Sequence, residues 1–286
     1  MKRQHFTTLF TTTFVVTILS SVIFLTLPIL TGCGGKQSQT EQSDKVIKFA
    51  SCNLKAYEDT TKVLSQEVEK LGYKLQYTFL ADNTQLNEAV ERGEYLANYH
   101  QHAPYMNEFN ATHKGNLAVA FEVFTDRAGL FSKKHKNLQD LPEGATITIA
   151  NDPGNNFRAF VILADAGLIK LKEGVNPISI TKKDIVDNPK KLKFIEVDYT
   201  MLAKALEEAD AGFLYATVAS EIGLEFGKDA LAGERKELQA PDIIAVRKEN
   251  LGSEKVRILE KAYKTDAVKQ ALKDTFDGKE VLLPSW

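Results

Sequence analysis

The run ATITIANDPGNNFRAFVILADAG, residues 145–167, reads as a strand, a polar turn and a helix in succession. Ala145–Ala150 alternates β-branched residues, residues 156–166 form the helix, and Gly167 follows as a C-terminal stop. The same grammar recurs on both sides of it. Upstream, Val46–Ser51 is a short β-rich run, and Leu64, Val68 and Leu71 mark a helix closed by Gly72. Leu75, Tyr77 and Phe79 alternate as in a strand, and Leu86, Ala89 and Val90 mark a second helix closed by Gly93. Tyr95–His102 and Leu117–Phe124 read as further strands. Downstream come a strand at 192–197, a helix at 202–208, a strand at 211–215 and another at Ile243–Arg247, with closing helices near 253–264 and 266–276. Strands alternating with helices of about ten residues imply α/β architecture with mainly parallel sheets. Two such series, separated by the polar stretch Ser132–Pro142, suggest two lobes.

The first residues stand outside this pattern. Lys2 and Arg3 precede an apolar run from Phe14 to Leu30, the form of an export signal. Leu30-Thr31-Gly32-Cys33 then resembles a bacterial lipobox, with Cys33 as the lipidated residue, against the simpler reading of a signal anchor with an incidental cysteine. Residues 34–45 hold no large apolar residue and read as a flexible tether. Cleavage before Cys33 removes two cations and no acids, taking the net charge from −2 to −4, so nothing points to nucleic acid. Cys33 and Cys52 are the only cysteines. With Cys33 acylated, no disulfide holds the fold, and Cys52 reads as a small, half-buried apolar residue.

Ligands of open α/β sheets bind at the carboxyl ends of strands. That directs attention to Cys52-Asn53, His100–Tyr105, Asn151–Arg158 and Tyr215–Thr217. In the third loop, free N–H groups at a helix start favour an anion, with Asn155 as a contact. Arg158 falls in the first turn, where a cation opposes the helix dipole. That cost makes sense if the guanidinium grips a carboxylate; a solvated surface arginine is the plainer reading. On an extended strand Asn98, His100 and His102 share one face, and Tyr99 and Gln101 the other. A metal site built on His100 and His102 would need His113 as well, and histidines at the mouth of a polar cleft are the alternative. No GxSxG, P-loop or HExxH is present, so no enzyme is expected, and no cofactor or resident metal either.

The stretches LANYHQHAPYM (96–106), AGLFSKKHKNLQDLPEGATITIANDPGNNFRAFVILADAGLIKLKEG (128–174), NPKKLKFIEVD (188–198), DALAGE (229–234) and IIAVRKEN (243–250) carry a closer likeness. With the lipobox, they make the mature chain resemble, nearly end to end, the NlpA-like methionine-uptake lipoproteins, solute-binding components of bacterial ABC importers. The resemblance implies a two-lobed, periplasmic-binding-protein-like (type II) fold with a ligand cleft between lobes. Lobe one would be 46–132 plus 240–286 and lobe two 133–239, behind a signal peptide at 1–32 and a lipidated tether at 33–45, with connections near Lys134 and Leu238. It also implies that Arg158 holds a ligand carboxylate and that His102 and Tyr105 wall the pocket. Four places depart from the family's pattern. His100 replaces phenylalanine, Asn83 a tyrosine, Tyr215 and Thr217 two asparagines, and Asp242 a third asparagine.

These departures remove aromatic contact area, worth on the order of 1–3 kcal/mol per side chain, and add hydrogen-bonding capacity. Asp242 would take a ligand ammonium more strongly than a neutral amide does. The expected ligand is methionine or a more polar amino acid or short peptide. The expected partners are an ABC permease and its ATPase, with the lipid anchor on the extracytoplasmic face of the cell membrane. A metal-binding lipoprotein and an adhesin-like surface lipoprotein are the rival readings.

Overall fold

Gly72, Gly93 and Gly167, each expected to stop a helix, have φ of 78°, 72° and 73°. This left-handed region is where glycine carries no steric penalty, so the chain turns sharply at each one and re-enters as a strand or turn. The computed structural model describes residues 44–275 and 282–286. The signal peptide, Cys33 and all but the end of the tether lie outside the described residues.

In chain order the elements are β1 (Val46–Cys52), α1 (Lys55–Lys70), β2 (Lys74–Leu80), α2 (Asn83–Glu91), β3 (Ala97–His102), α3 (Ala103–His113), β4 (Leu117–Asp126), β5 (Ala128–Phe131), β6 (Thr146–Ala150) and α4 (Pro153–Asp165). A small hairpin follows, β7 (Lys170–Leu171) and β8 (Ile185–Asp187), then β9 (Lys193–Val197), α5 (Leu202–Ala205), β10 (Ala211–Tyr215), α6 (Ala216–Glu221), α7 (Phe226–Asp229) and β11 (Ala230–Gly233). The chain closes with β12 (Pro241–Arg247), α8 (Glu254–Tyr263), α9 (Asp266–Asp274) and β13 (Leu282–Pro284).

Two larger sheets result. One has six strands in the order β13-β4-β12-β3-β1-β2, the other five in the order β11-β5-β10-β6-β9. Both are mixed rather than mainly parallel. β1 runs parallel to β2 and β3, but β12 enters antiparallel between β3 and β4. In the second sheet β6 is parallel to β9 and β10, while β5 is antiparallel to β10 and β11. The returning segment therefore completes the first sheet from its middle, and the chain crosses from the first sheet to the second at Arg127. The expected boundary lay at residue 132. It moves because Ala128–Phe131 pairs with Tyr215–Gly212 in the second sheet.

Each sheet has its own core. Phe49, Leu64, Val68, Leu86, Tyr99, Ile244 and Leu259 pack around the first; Leu130, Ile147, Phe157, Phe160, Leu163 and Phe213 around the second. Cys52 is buried and free rather than half-exposed, and burial pushes its thiol well above the usual range. No helix among the described residues is long and apolar enough to cross a membrane.

Candidate functional site

The strand-end rule brings the site together where β3, β6 and β10 finish, and β12, antiparallel to β3, begins at the same place. Their ends, with the starts of α1 and α2, surround a polar cleft lined by Tyr57, Asn83, His100, Gln101, His102, Tyr105, Asp126, Asn155, Tyr199, Tyr215 and Asp242. Side chains fill its centre, leaving about 20 Å³, room for a single water or so. A larger cavity of about 330 Å³ adjoins it and shares Asn83 and Tyr199 as walls.

Two helix starts meet across the cleft. His102 caps α3, its Nδ1 accepting the Tyr105 N–H at 3.2 Å. Pro153 opens α4 behind Asp152, whose carboxylate accepts both of its hydrogen bonds from the Asn155 amide at 3.0 Å. A Cβ added at Gly154 would stand 2.9 Å from the Tyr105 Cα, so the bare glycine is what lets the two turns touch.

The tautomer of His102 follows from its cap. With Nδ1 accepting, Nε2 carries the hydrogen and donates to Asn155 Oδ1 at 2.8 Å; the Tyr215 hydroxyl lies 3.0 Å from the same nitrogen. Burial, then the charge of Arg158, pushes the His102 pKa down to about 3, so the ring is neutral.

Arg158 is the largest fully buried side chain among the described residues, 1% exposed, and its first partner is a residue. Its Nε donates to Glu234 Oε2 at 2.7 Å and its second terminal nitrogen to Glu234 Oε1, a side-on bidentate pair. The other terminal nitrogen donates to the Tyr215 hydroxyl, and the guanidinium carbon lies 4.8 Å from the Tyr215 ring centre. Burial works against the charge, but Tyr215 and Glu234 more than offset it and hold the group cationic. Arg158 thus departs from expectation in two ways. Because α4 begins at Pro153, Arg158 lies in the second turn, where the dipole cost is small. It is also anchored by Glu234, leaving one N–H on each terminal nitrogen for a further acceptor. Glu234 closes the DALAGE stretch and also accepts the Ala128 N–H at 3.1 Å.

Two buried acids also line the cleft. Asp242 accepts the Tyr57 hydroxyl, and burial raises its pKa to about 6 against the lowering effects of Tyr57 and Arg158. Asp126 accepts the Thr217 hydroxyl at 2.5 Å and the Thr217 N–H at 3.3 Å, and burial raises it to about 8. Thr217, expected as a direct ligand contact, therefore reaches the cleft only through Asp126. Asp126 ends β4, so the strand-end rule could have found it. Tyr199, in the turn after β9, was open to the same rule, and Tyr57 lies in the first turn of α1, just beyond the Cys52-Asn53 loop that the rule did mark.

The alternation expected along β3 breaks at a bulge. Gln101 pairs with Ile243 and Tyr99 with Ile244, so His100 has no partner on β12. Gln101 consequently turns to the side of Asn98 and His100, and all three reach Asn87 Oδ1, at 2.6, 2.7 and 3.3 Å. Tyr99 faces away, to Tyr263 at 2.7 Å. His100 and His102 do not form a metal site. His102 spends both ring nitrogens on protein groups, and His113 stacks on Phe109 at 4.6 Å. Among the described residues no group of three or more His, Cys, Asp or Glu side chains is placed to hold a metal ion.

The NlpA lipoprotein family model matches residues 47–286. The chain belongs to the NlpA lipoprotein family. Relatives in this family include the probable D-methionine-binding lipoprotein MetQ of Haemophilus influenzae, 33% identical over 96% of this chain and 98% of that one. Outer membrane lipoprotein 1 of Mannheimia haemolytica is 36% identical over 76% of this chain and 78% of its own length. Among solved structures, a nutrient-binding protein from Burkholderia cenocepacia bound to methionine superposes with a TM-score of 0.79 at 32% identity, covering 84% of this chain and all of that one. The family's members are substrate-binding lipoproteins rather than enzymes, and the two sheets with their flanking helices form the two-lobed binding-protein fold.

Proposed function

We propose that this chain is the extracytoplasmic solute-binding lipoprotein of an ABC importer and that it takes an α-amino acid between its lobes. The observation that carries the reading is the polarity of the cleft. Arg158, hydrogen-bonded to the lining residue Tyr215, has N–H donors to spare, and Asp242 and Asp126 line the cleft. A carboxylate and an ammonium on one carbon match those poles. The relatives' names support the class of ligand. Sheet membership supports lobes that divide at Arg127 on the outward pass and between Leu238 and Pro241 on the return. Space for about one water admits no amino acid, so the ligand enters when the lobes part, and closure presents a new surface to the permease. In this reading Cys33 bears the anchor and the tether spans from membrane to lobe. Permease, ATPase and membrane are then the partners.

The test is calorimetry on the chain stripped by unfolding and refolding. L-Methionine should bind with one site per chain. Its methyl ester and N-acetyl-L-methionine should each bind at least about tenfold more weakly, since each loses one charged pole, and tenfold corresponds to about 1.4 kcal/mol. Equal affinity for the blocked compounds would sink the two-pole reading.

A further inference from the structure

The bulge in β3 leaves His100 in an unusual position. The residue is 8% exposed, and its ring stands edge-on to Tyr105, with centroids 5.9 Å apart and planes at 84°. Its Nε2 lies 3.3 Å from Asn87 Oδ1. The orientation of Asn87 is fixed through Asn98, whose amide nitrogen donates to the Leu86 carbonyl at 3.1 Å and to Asn87 Oδ1 at 2.7 Å, leaving the Asn87 amide to donate to Gln101 Oε1 at 3.0 Å. An amide oxygen cannot donate, so Nε2 carries the ring hydrogen. Burial first, then the neighbouring His102, holds the ring neutral, with a pKa near 3. Nδ1 is then a bare lone pair, and it has no hydrogen-bond partner among the described residues. Protein interiors rarely leave such an atom unmet.

Resting on the amino-acid reading above, the geometry points to His100 as the residue that selects the ligand's side chain: its Nδ1 accepts a hydrogen bond from a side-chain N–H or O–H. The preferred ligand class is then an α-amino acid ending in an amide or hydroxyl. A thioether brings no donor, and a carboxylate sets lone pair against lone pair. Asn83 and Gln101, which line the same cleft, extend this polar wall. A site built to accept a hydrogen bond rejects the isostere that cannot supply one, because the buried acceptor is left unpaired.

The experiment compares L-glutamine with L-methionine, which are close in length, on the full chain in detergent, by calorimetry. The unaltered protein should bind glutamine at least about tenfold tighter. His100→Phe should invert that order, whereas His100→Gln, which keeps a side-chain acceptor, should retain it. The proposal is overturned if methionine binds as tightly as glutamine to the unaltered protein, or if His100→Phe leaves their ratio unchanged. Should none of the twenty common amino acids bind, the amino-acid reading itself fails, an outcome distinct from binding without selectivity.

Discussion

Replacing Arg158 by alanine lowers the stability of the ligand-free chain by about 3–5 kcal/mol, the usual penalty for stranding one partner of a buried ion pair. The cost arises because Glu234, its side chain 2% exposed, is left without its cation in the second lobe. Tyr215 also loses its donor and the guanidinium beneath its ring. Urea unfolding of Arg158→Ala should show the loss. The double variant Arg158→Met with Glu234→Leu should recover at least half of it, since a pair of apolar groups carries no stranded charge. Neither variant should bind an amino acid. A single variant within 1 kcal/mol of the parent would mean that the pair is not buried as described.

The second large effect is a dependence on pH. Asp126 keeps its proton in the folded chain up to about 8, against an ordinary value of 3.8. Between those values the folded chain binds the extra proton. The stabilisation is therefore fully present below the unfolded value and is lost as pH rises through about 8. Asp242 acts in the same sense between 3.8 and about 6. His100 and His102, lowered from 6.5 to about 3, act oppositely, adding stability as pH rises to 6.5 and nothing above it. From pH 6.5 to 8, Asp126 is thus the one of the four still titrating, and ligand-free stability should fall across that window. Amino-acid affinity should rise there, by at most about tenfold per pH unit, as the carboxylate forms opposite the ligand ammonium. Asp126→Asn should flatten both curves. Stability that climbs from pH 6.5 to 8, or an unchanged profile in the variant, contradicts this account of the acidic pole.

Local regularities carried the fold into view. Gly72, Gly93 and Gly167 announced helix ends, and 211–215 was legible as a strand to the residue. What local pattern does not encode is pairing. Arg158 and Glu234 are 76 positions apart, and nothing in either segment announces the other, although both lie in stretches that carried the family likeness. The alternation of β3 was sound up to His100 and failed at Gln101, because a bulge is set by the facing strand, here β12, and not by the strand itself. The strand-end rule marks the loops that bring His102, Asn155 and Tyr215 to the cleft, and the ends of β4 and β9, where Asp126 and Tyr199 stand, obey the same rule. Thr217, matched by the likeness to one of the family's asparagines, donates its hydroxyl to Asp126, a pairing 91 positions apart that neither segment announces.

The most direct measurement of the central claim is to purify the full chain, unfold it, and identify by mass spectrometry what it releases. The account predicts close to one equivalent of a single free α-amino acid whose side chain carries an N–H or O–H. A molecule lacking either the α-carboxylate or the α-amine, or no small molecule at all, would contradict it.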